Sequence, residues 1–198
     1  MSSYSEGQVH QLVEKLEQAD FTADDLTKLG QIKDLSGIRN VVRGFSEIVP
    51  IAHILERKRF DPAKFMGKGW TIDERVGQRS GSNLDAGKII RKDYLKAGES
   101  FINGEERLKR IKANPADIQY DEQDFLALYE EKGQKTLRWL YDTQGITSLS
   151  FWGIILRIPL GDRRVLYLYR GGHGSWYWVF FWLDDDWYAG NPSAVLAS

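Results

Sequence analysis

The run Trp176-Tyr177-Trp178-Val179-Phe180-Phe181-Trp182-Leu183-Asp184-Asp185-Asp186-Trp187-Tyr188 constrains this chain more than any other stretch. Eight of its thirteen residues are aromatic. In a strand, successive side chains point to opposite faces. Trp176, Trp178, Phe180 and Trp182 then share one face, and Tyr177, Val179 and Phe181 the other. One face can be core. If the sheet is covered on one side only, the second face holds large apolar groups in water, which marks a binding surface. The competing arrangement is a strand buried on both faces.

A chain of 198 residues suits one domain with a sizeable core. The expected division is a helical N-terminal layer over residues 1–47 and a β-rich region over residues 145–198. A net charge of −1 gives no field for steering onto nucleic acid or an anionic membrane. The absence of cysteine excludes disulfides and thiolate chemistry. Met1 to Glu6 shows neither a basic n-region nor an apolar h-region, and no apolar run approaches a membrane span. Display at a cell surface or outside the cell would need another export route.

Val9, Leu12, Val13 and Leu16 form one apolar stripe, which predicts a helix from about Ser5 to Ala19. Thr22 is positioned to cap a second helix that Gly30 ends, and Leu35, Ile38, Val42 and Phe45 mark a third. Ile48 to Leu55 reads as a strand, Glu56-Arg57-Lys58-Arg59 as a solvated edge, and Trp70 to Val76 as a strand. The stretch Gly77 to Gly87 reads as a loop that lacks phosphate-binding spacing. Further helices are expected over Glu105–Lys112 and, capped by Asp121, Glu122–Glu131. The carboxylates of Glu105/Glu106 and Glu130/Glu131 are adjacent in sequence, so on a helix they diverge and cannot easily share a substrate. His10 and His53 are isolated, with no partner at metal-ligand spacing.

The texture then changes. Residues 145–198 contain no Lys, Glu, Gln or Met, against 36 of these in residues 1–144. Three strand-like runs follow: Phe151–Ile158, Val165–Tyr169 and Trp176–Leu183. The short, turn-rich links between them predict an antiparallel meander. Asp184, Asp185 and Asp186 supply too few donors for a calcium site, and their simpler role is a solvated turn. His173 has Ser175 nearby but no orienting carboxylate, so no catalysis, metal or cofactor is expected. Arg157, Arg163, Arg164 and Arg170 balance Asp162, Asp184, Asp185 and Asp186, which argues against a nucleic-acid groove. A protein or glycan ligand suits exposed Tyr and Trp beside Gly and Ser.

The segments Phe151-Trp152-Gly153-Ile154, Val165-Leu166-Tyr167-Leu168-Tyr169 and Gly174-Ser175-Trp176-x-Trp178-x-Phe180-x-Trp182-Leu183-Asp184-x-Asp186-Trp187-x-Ala189-x-Asn191-Pro192 resemble the variable region of diversity-generating retroelement variable proteins. The resemblance is to the archaeal, Nanoarchaeota-type group and spans about 50 residues. Phe151-Trp152-Gly153-Ile154 is also similar to the Trp-Ile-Gly-Leu strand of C-type lectin folds, though it opens differently. The resemblance implies an α+β, C-type lectin-like fold: N-terminal helices packed on an antiparallel sheet, and a C-terminal β-meander carrying a hypervariable surface. It implies diversification by error-prone reverse transcription at adenines, mostly in Asn codons.

The genetic code offers an independent check. Randomising the adenines of AAC cannot yield Lys, Glu, Gln, Met or Trp. Tyr177, Val179, Phe181, Asp185, Tyr188 and Gly190, with Gly171, Gly172 and His173 in the preceding loop, are all reachable. Trp176, Trp178, Trp182 and Trp187 are not, and are expected to be fixed scaffold. Strands are often poor in Lys, Glu and Gln for other reasons. Tyr177, Phe181 and Tyr188 are the expected anchors and Asp185 and His173 the polar selectors. The partner expected is a protein or glycan, including one on another cell's surface. The alternative is a fixed-specificity carbohydrate-binding module using the same aromatic platform.

Overall fold

The computed structural model of the chain describes residues 4–45, 53–77 and 79–196. The chain divides into two compact units, residues 1–50 and 51–198.

The first unit holds α1 (Glu6–Gln18), α2 (Ala23–Gly30) and α3 (Ser36–Val42). Ser5 and Gln8 form a capping box at α1, and Thr22 and Asp25 form one at α2. Each box satisfies amide donors that a helix start leaves without partners. No residue of these three helices is buried.

The second unit is mixed. In chain order it comprises β1 (Ile54–Glu56), α4 (Pro62–Met66), β2 (Thr71–Arg75), β3 (Asn83–Asp85), a 3-10 turn (Ala86–Lys88), β4 (Ile89–Lys92) and β5 (Phe101–Asn103). Then come α5 (Gly104–Lys112), α6 (Glu122–Tyr129), α7 (Lys135–Gln144), β6 (Ser148–Arg157), β7 (Arg163–Arg170), β8 (Trp176–Trp182), β9 (Asp186–Tyr188) and β10 (Ser193–Leu196). The architecture is α+β. Among the described residues, no helix is long and apolar enough to cross a membrane.

Six strands form the main sheet, in the order β4-β10-β6-β7-β8 with β2 also paired to β6. The β6-β7-β8 part is the expected antiparallel meander, and the final strand β10 inserts between β4 and β6. Two ribbons, β1-β3 and β5-β9, complete the unit.

Both faces of the meander carry core. Leu149, Phe151, Leu166, Leu168 and Trp176 lie in one cluster with Phe125, Leu137 and Leu140 from α6 and α7. Trp152, Ile155, Val165, Tyr167 and Trp187 form the other with Leu108 and Ile111 of α5. Gly153 is required inside β6, because a Cβ there would stand 2.8 Å from the Tyr120 carbonyl. Its N–H donates to that carbonyl (3.0 Å), and its own carbonyl accepts from the Val76 N–H (2.9 Å).

The run Glu56–Arg59 is not simply a solvated edge: the Arg57 side chain is buried, paired with Asp121 and, at 2.9 Å, with Asp124. Those partners lie more than 60 residues away, so the local charge run could not reveal them. The Gly77–Gly87 stretch is not all loop, since Asn83–Asp85 pairs with Ile54–Glu56. Of the strand expected from Ile48 to Leu55, residues 48–52 fall outside the described residues, and pairing begins at Ile54. His53 stacks on Trp139 with ring centroids 4.2 Å apart, a packing role.

Candidate ligand surface

The site is built on the register of β7 and β8. Val165, Tyr167 and Tyr169 stand opposite Phe181, Val179 and Tyr177. These six side chains share one face. The opposite face of β8 packs into the first core: Trp178 lies 5.0 Å from Phe65 and Phe180 lies 5.0 Å from Trp70, centroid to centroid.

The odd face is not uniform. At its far end Phe181 packs edge-on to Tyr167 at 4.8 Å and against Trp187 at 5.5 Å. Both partners are buried, so Phe181 is half core and not the free anchor expected of it. Val179 packs with it. At the near end Tyr177 is 47% exposed and leans on exposed Tyr169, rings 5.8 Å apart. Tyr188 is 50% exposed and rests on Phe101 of the paired strand β5, at 5.7 Å. Thus Tyr177 and Tyr188 lie at the surface, and the face between them is closed by aromatic packing.

The tryptophans divide similarly. Trp176 and Trp187 are 3% and 1% exposed, as scaffold requires. Trp178 is partly buried against the first core. Trp182 is 43% exposed, so the even face is not core along its whole length. It lies over the guanidinium of Arg164 at 4.1 Å, and Arg164 is itself buried and held by Asp162 at 3.0 Å. Trp182 therefore covers a buried cation while presenting its outer face to water.

Trp187 sits in a second arginine-aromatic stack. Arg107 is buried between Trp152 (5.1 Å) and Trp187 (5.2 Å) and donates to the Lys92 carbonyl and Ser193 Oγ. Burial without a carboxylate in contact lowers its pKa to about 10. Gly104 completes the support, since a Cβ there would stand 2.2 Å from the Leu183 carbonyl.

Gly190 joins the odd face through hydrogen bonds: its carbonyl accepts from Ser148 Oγ (3.0 Å) and Tyr167 Oη (3.4 Å), and Asn191 Nδ2 donates to the same Tyr167 oxygen. Gly190 and Gly172 have open space where a Cβ would stand. Gly171 does not, because a Cβ there would meet the Tyr177 ring at 2.7 Å. A side chain at 171 must therefore displace the ring at 177, which couples the two positions.

Asp185 lies at the opposite end of β8 from Gly171, Gly172 and His173. The seven-residue strand separates them by roughly 20 Å, so His173 and Asp185 do not converge on one group. The Asp184–Asp186 turn is pinned through its backbone. Asn103 Nδ2 donates to the Asp184 carbonyl (2.7 Å), and the Gly104 N–H donates to that of Asp185 (3.1 Å). Among the described residues, no three His, Cys, Asp or Glu side chains are grouped to hold a metal ion.

The loop Gly171–Ser175 forms one wall of a polar groove of about 770 Å³. Tyr129, Arg138, Asp142 and Arg170 line it beside His173 and Ser175. Arg170 is engaged, its guanidinium 3.7 Å from the Tyr141 ring. Glu131 is engaged too, accepting from the Thr136 N–H (2.7 Å) and Oγ1 (3.1 Å). Glu130 instead turns to Lys58 at 3.0 Å, while Glu105 pairs with Arg163 and Glu106 with Arg110, so the adjacent carboxylates diverge.

Sequence reasoning missed Tyr169, Phe101 and the α7 wall of the groove. Tyr169 carried a signal, since alternation along β7 places it with Tyr167. Phe101 carried none, because its partner Tyr188 lies 87 residues away. No protein-family model, curated protein or solved structure matches the chain.

Proposed function

We propose that this chain is a ligand-binding protein, not an enzyme, whose C-terminal meander displays a hypervariable surface for protein or cell-surface ligands. In this reading the second unit is C-type lectin-like, and adenine-directed retroelement mutagenesis sets the side chains at Tyr177, Val179, Phe181, Asp185, Tyr188, Gly190, Gly171, Gly172 and His173. One observation carries it: the exposed tyrosines of the aromatic run, Tyr177 and Tyr188, are reachable from an AAC codon, whereas the buried Trp176 and Trp187 beside them are not. Open space at Gly172 and Gly190 supports it, because those positions accept side chains without rebuilding the backbone. Trp182 departs from the pattern, being exposed yet outside the AAC set.

The groove favours a second reading, a fixed carbohydrate-binding module. Tyr129 offers a ring for a sugar's apolar face, and Arg138, Asp142 and Ser175 offer polar groups for its hydroxyls.

The deciding experiment sequences the DNA around the gene. A near-copy of the segment encoding residues 165–198, differing only at adenines and lying beside a reverse transcriptase gene, is the expected result. Its absence removes the variable-surface reading and leaves a fixed aromatic face, for which glycan binding shared among natural variants is the next measurement.

A further inference from the structure

We propose that two copies of this chain pair through the outer edges of β8, antiparallel about Val179, to join two main sheets into one. The inference stands on main-chain geometry, and holds whether or not the odd-face side chains are diversified.

β8 is the last strand of its sheet, bonded on one side only, to β7. The phase of that ladder is fixed at both ends. The Leu183 N–H donates to the Arg163 carbonyl (3.1 Å), and the Gly171 N–H donates to the Ser175 carbonyl (2.8 Å). Odd-numbered residues of β8 therefore bond β7, and the N–H and C=O groups of even-numbered ones face away from the sheet.

This outward row is closed at its Trp176 end and half closed at its Trp182 end. At Trp176 the Gln134 carboxamide takes both groups, accepting from the N–H and donating to the carbonyl, each at 3.1 Å. At Trp182 the carbonyl accepts from the Asp185 N–H at 3.4 Å. Between them, the amides and carbonyls of Trp178 and Phe180 have no partner among the described residues.

That open stretch is self-complementary. With Val179 of two copies face to face, Trp178 stands opposite the partner's Phe180, and each such pair exchanges two hydrogen bonds. The two pairs satisfy all four open groups of Trp178 and Phe180, and the bonds at Trp176 and Trp182 mark where pairing stops. The strand has no Lys, Pro or other charge on it, and none of these usual protections of an exposed edge is present. A second copy is the occupant that matches in phase and length and is always present at the chain's own concentration. Joining the edges sets Tyr177, Val179 and Phe181 of both copies on one continuous face, so a ligand displayed in many copies would engage two surfaces at once.

The absence of cysteine makes the test direct. In this pairing the two Val179 residues form a non-hydrogen-bonded pair with Cα atoms about 4.5 Å apart, within the range a disulfide spans. Residue 177 stands two positions from the axis, which puts its copies at least about 13 Å apart, beyond that range. The full chain carrying Val179→Cys or Tyr177→Cys is oxidised mildly and run on a non-reducing gel, with far-UV circular dichroism confirming equal folding. Expected is a covalent dimer for Val179→Cys and a monomer for Tyr177→Cys. A folded Val179→Cys that stays monomeric, or equal crosslinking of both, overturns the pairing. For the unmodified chain, hydrogen exchange at the Trp178 and Phe180 amides should slow as concentration rises while that of Tyr177 and Val179 stays constant; rates independent of concentration overturn it too. Failure here leaves the adenine-repeat test of the variable surface untouched.

Discussion

Gln134 and Trp176 are joined by two hydrogen bonds of 3.1 Å, with the Gln134 carboxamide occupying the place that a neighbouring strand's peptide group would take. Gln134 makes this contact from a left-handed backbone conformation (φ 48°), immediately before α7. Such a conformation costs a non-glycine residue about 1–2 kcal/mol. The two bonds must offset that strain.

Substitution separates the two contributions. Gln134→Ala loses the bonds and keeps the strain, and is expected to destabilise by about 1–3 kcal/mol. Gln134→Gly loses the same bonds and relieves the strain, so it should be the more stable of the two by roughly 1 kcal/mol. Denaturant unfolding of both variants measures the difference. An Ala variant as stable as the Gly variant would show that the left-handed conformation is not held against a cost.

Trp178 and Trp182 lie on the same face of β8 yet should respond differently. Trp178 packs on Phe65 and, edge-on, on Phe125 (6.4 Å), and Trp178→Ala should cost about 3–5 kcal/mol. Trp182 loses mainly its contact with Arg164, so Trp182→Ala should cost nearer 1–2 kcal/mol. Thermal unfolding of the pair decides it, and equal losses would return Trp182 to the core.

The legible parts of the fold were those with local causes. Thr22, Asp24 and Asp25 mark the start of α2, and short turn-rich links between alternating strands mark the meander. In α7 Leu137, Leu140 and Tyr141 have helical spacing, but its start carries no side-chain cap to mark it. What sequence could not supply was covering layers. Alternation and reachability from AAC both place Phe181 at the surface, but Trp187, delivered by the β5-β9 ribbon, closes that end of the face. The buried pairing of Arg57 with α6 was hidden in the same way.

The dependence of stability on pH follows from that buried pairing. Burial, then the charge of Asp121, raises the Asp124 carboxyl to about 6, and burial likewise raises Glu122. A carboxyl with a raised folded pKa binds more protons when folded. The contribution of Asp124 is therefore full below 3.8, its unfolded value, and lost as pH rises through about 6. Glu99 acts oppositely: the hydrogen bond from Arg110 lowers it to about 2, so its contribution is present above 4.5 and lost as pH falls. Stability should peak at about pH 4, fall as pH rises from there to about 6, and level off above. Asp124→Asn should abolish the fall between about pH 4 and 6 and keep the acid-side loss. A melting temperature that is flat from about pH 4 to 6 in the unmodified chain would show that burial does not raise the Asp124 carboxyl.

The expected anchors should also separate by stability. Tyr177 and Tyr188 stand half in solvent, so Tyr177→Asn and Tyr188→Asn should each change stability by no more than about 0.5 kcal/mol. Phe181 fills the space between Tyr167 and Trp187, and Phe181→Asn both opens that space and buries an amide beside apolar rings. Its cost should be about 3–5 kcal/mol. If adenine mutagenesis reaches all three codons, the difference filters the products: folded variants recovered from a library should hold apolar residues at 181 and any reachable residue at 177 and 188. Sequencing the soluble fraction of such a library reads the filter directly. Equal tolerance at the three positions would mean that the second core closes without the ring of Phe181, and that the whole odd face is free to vary.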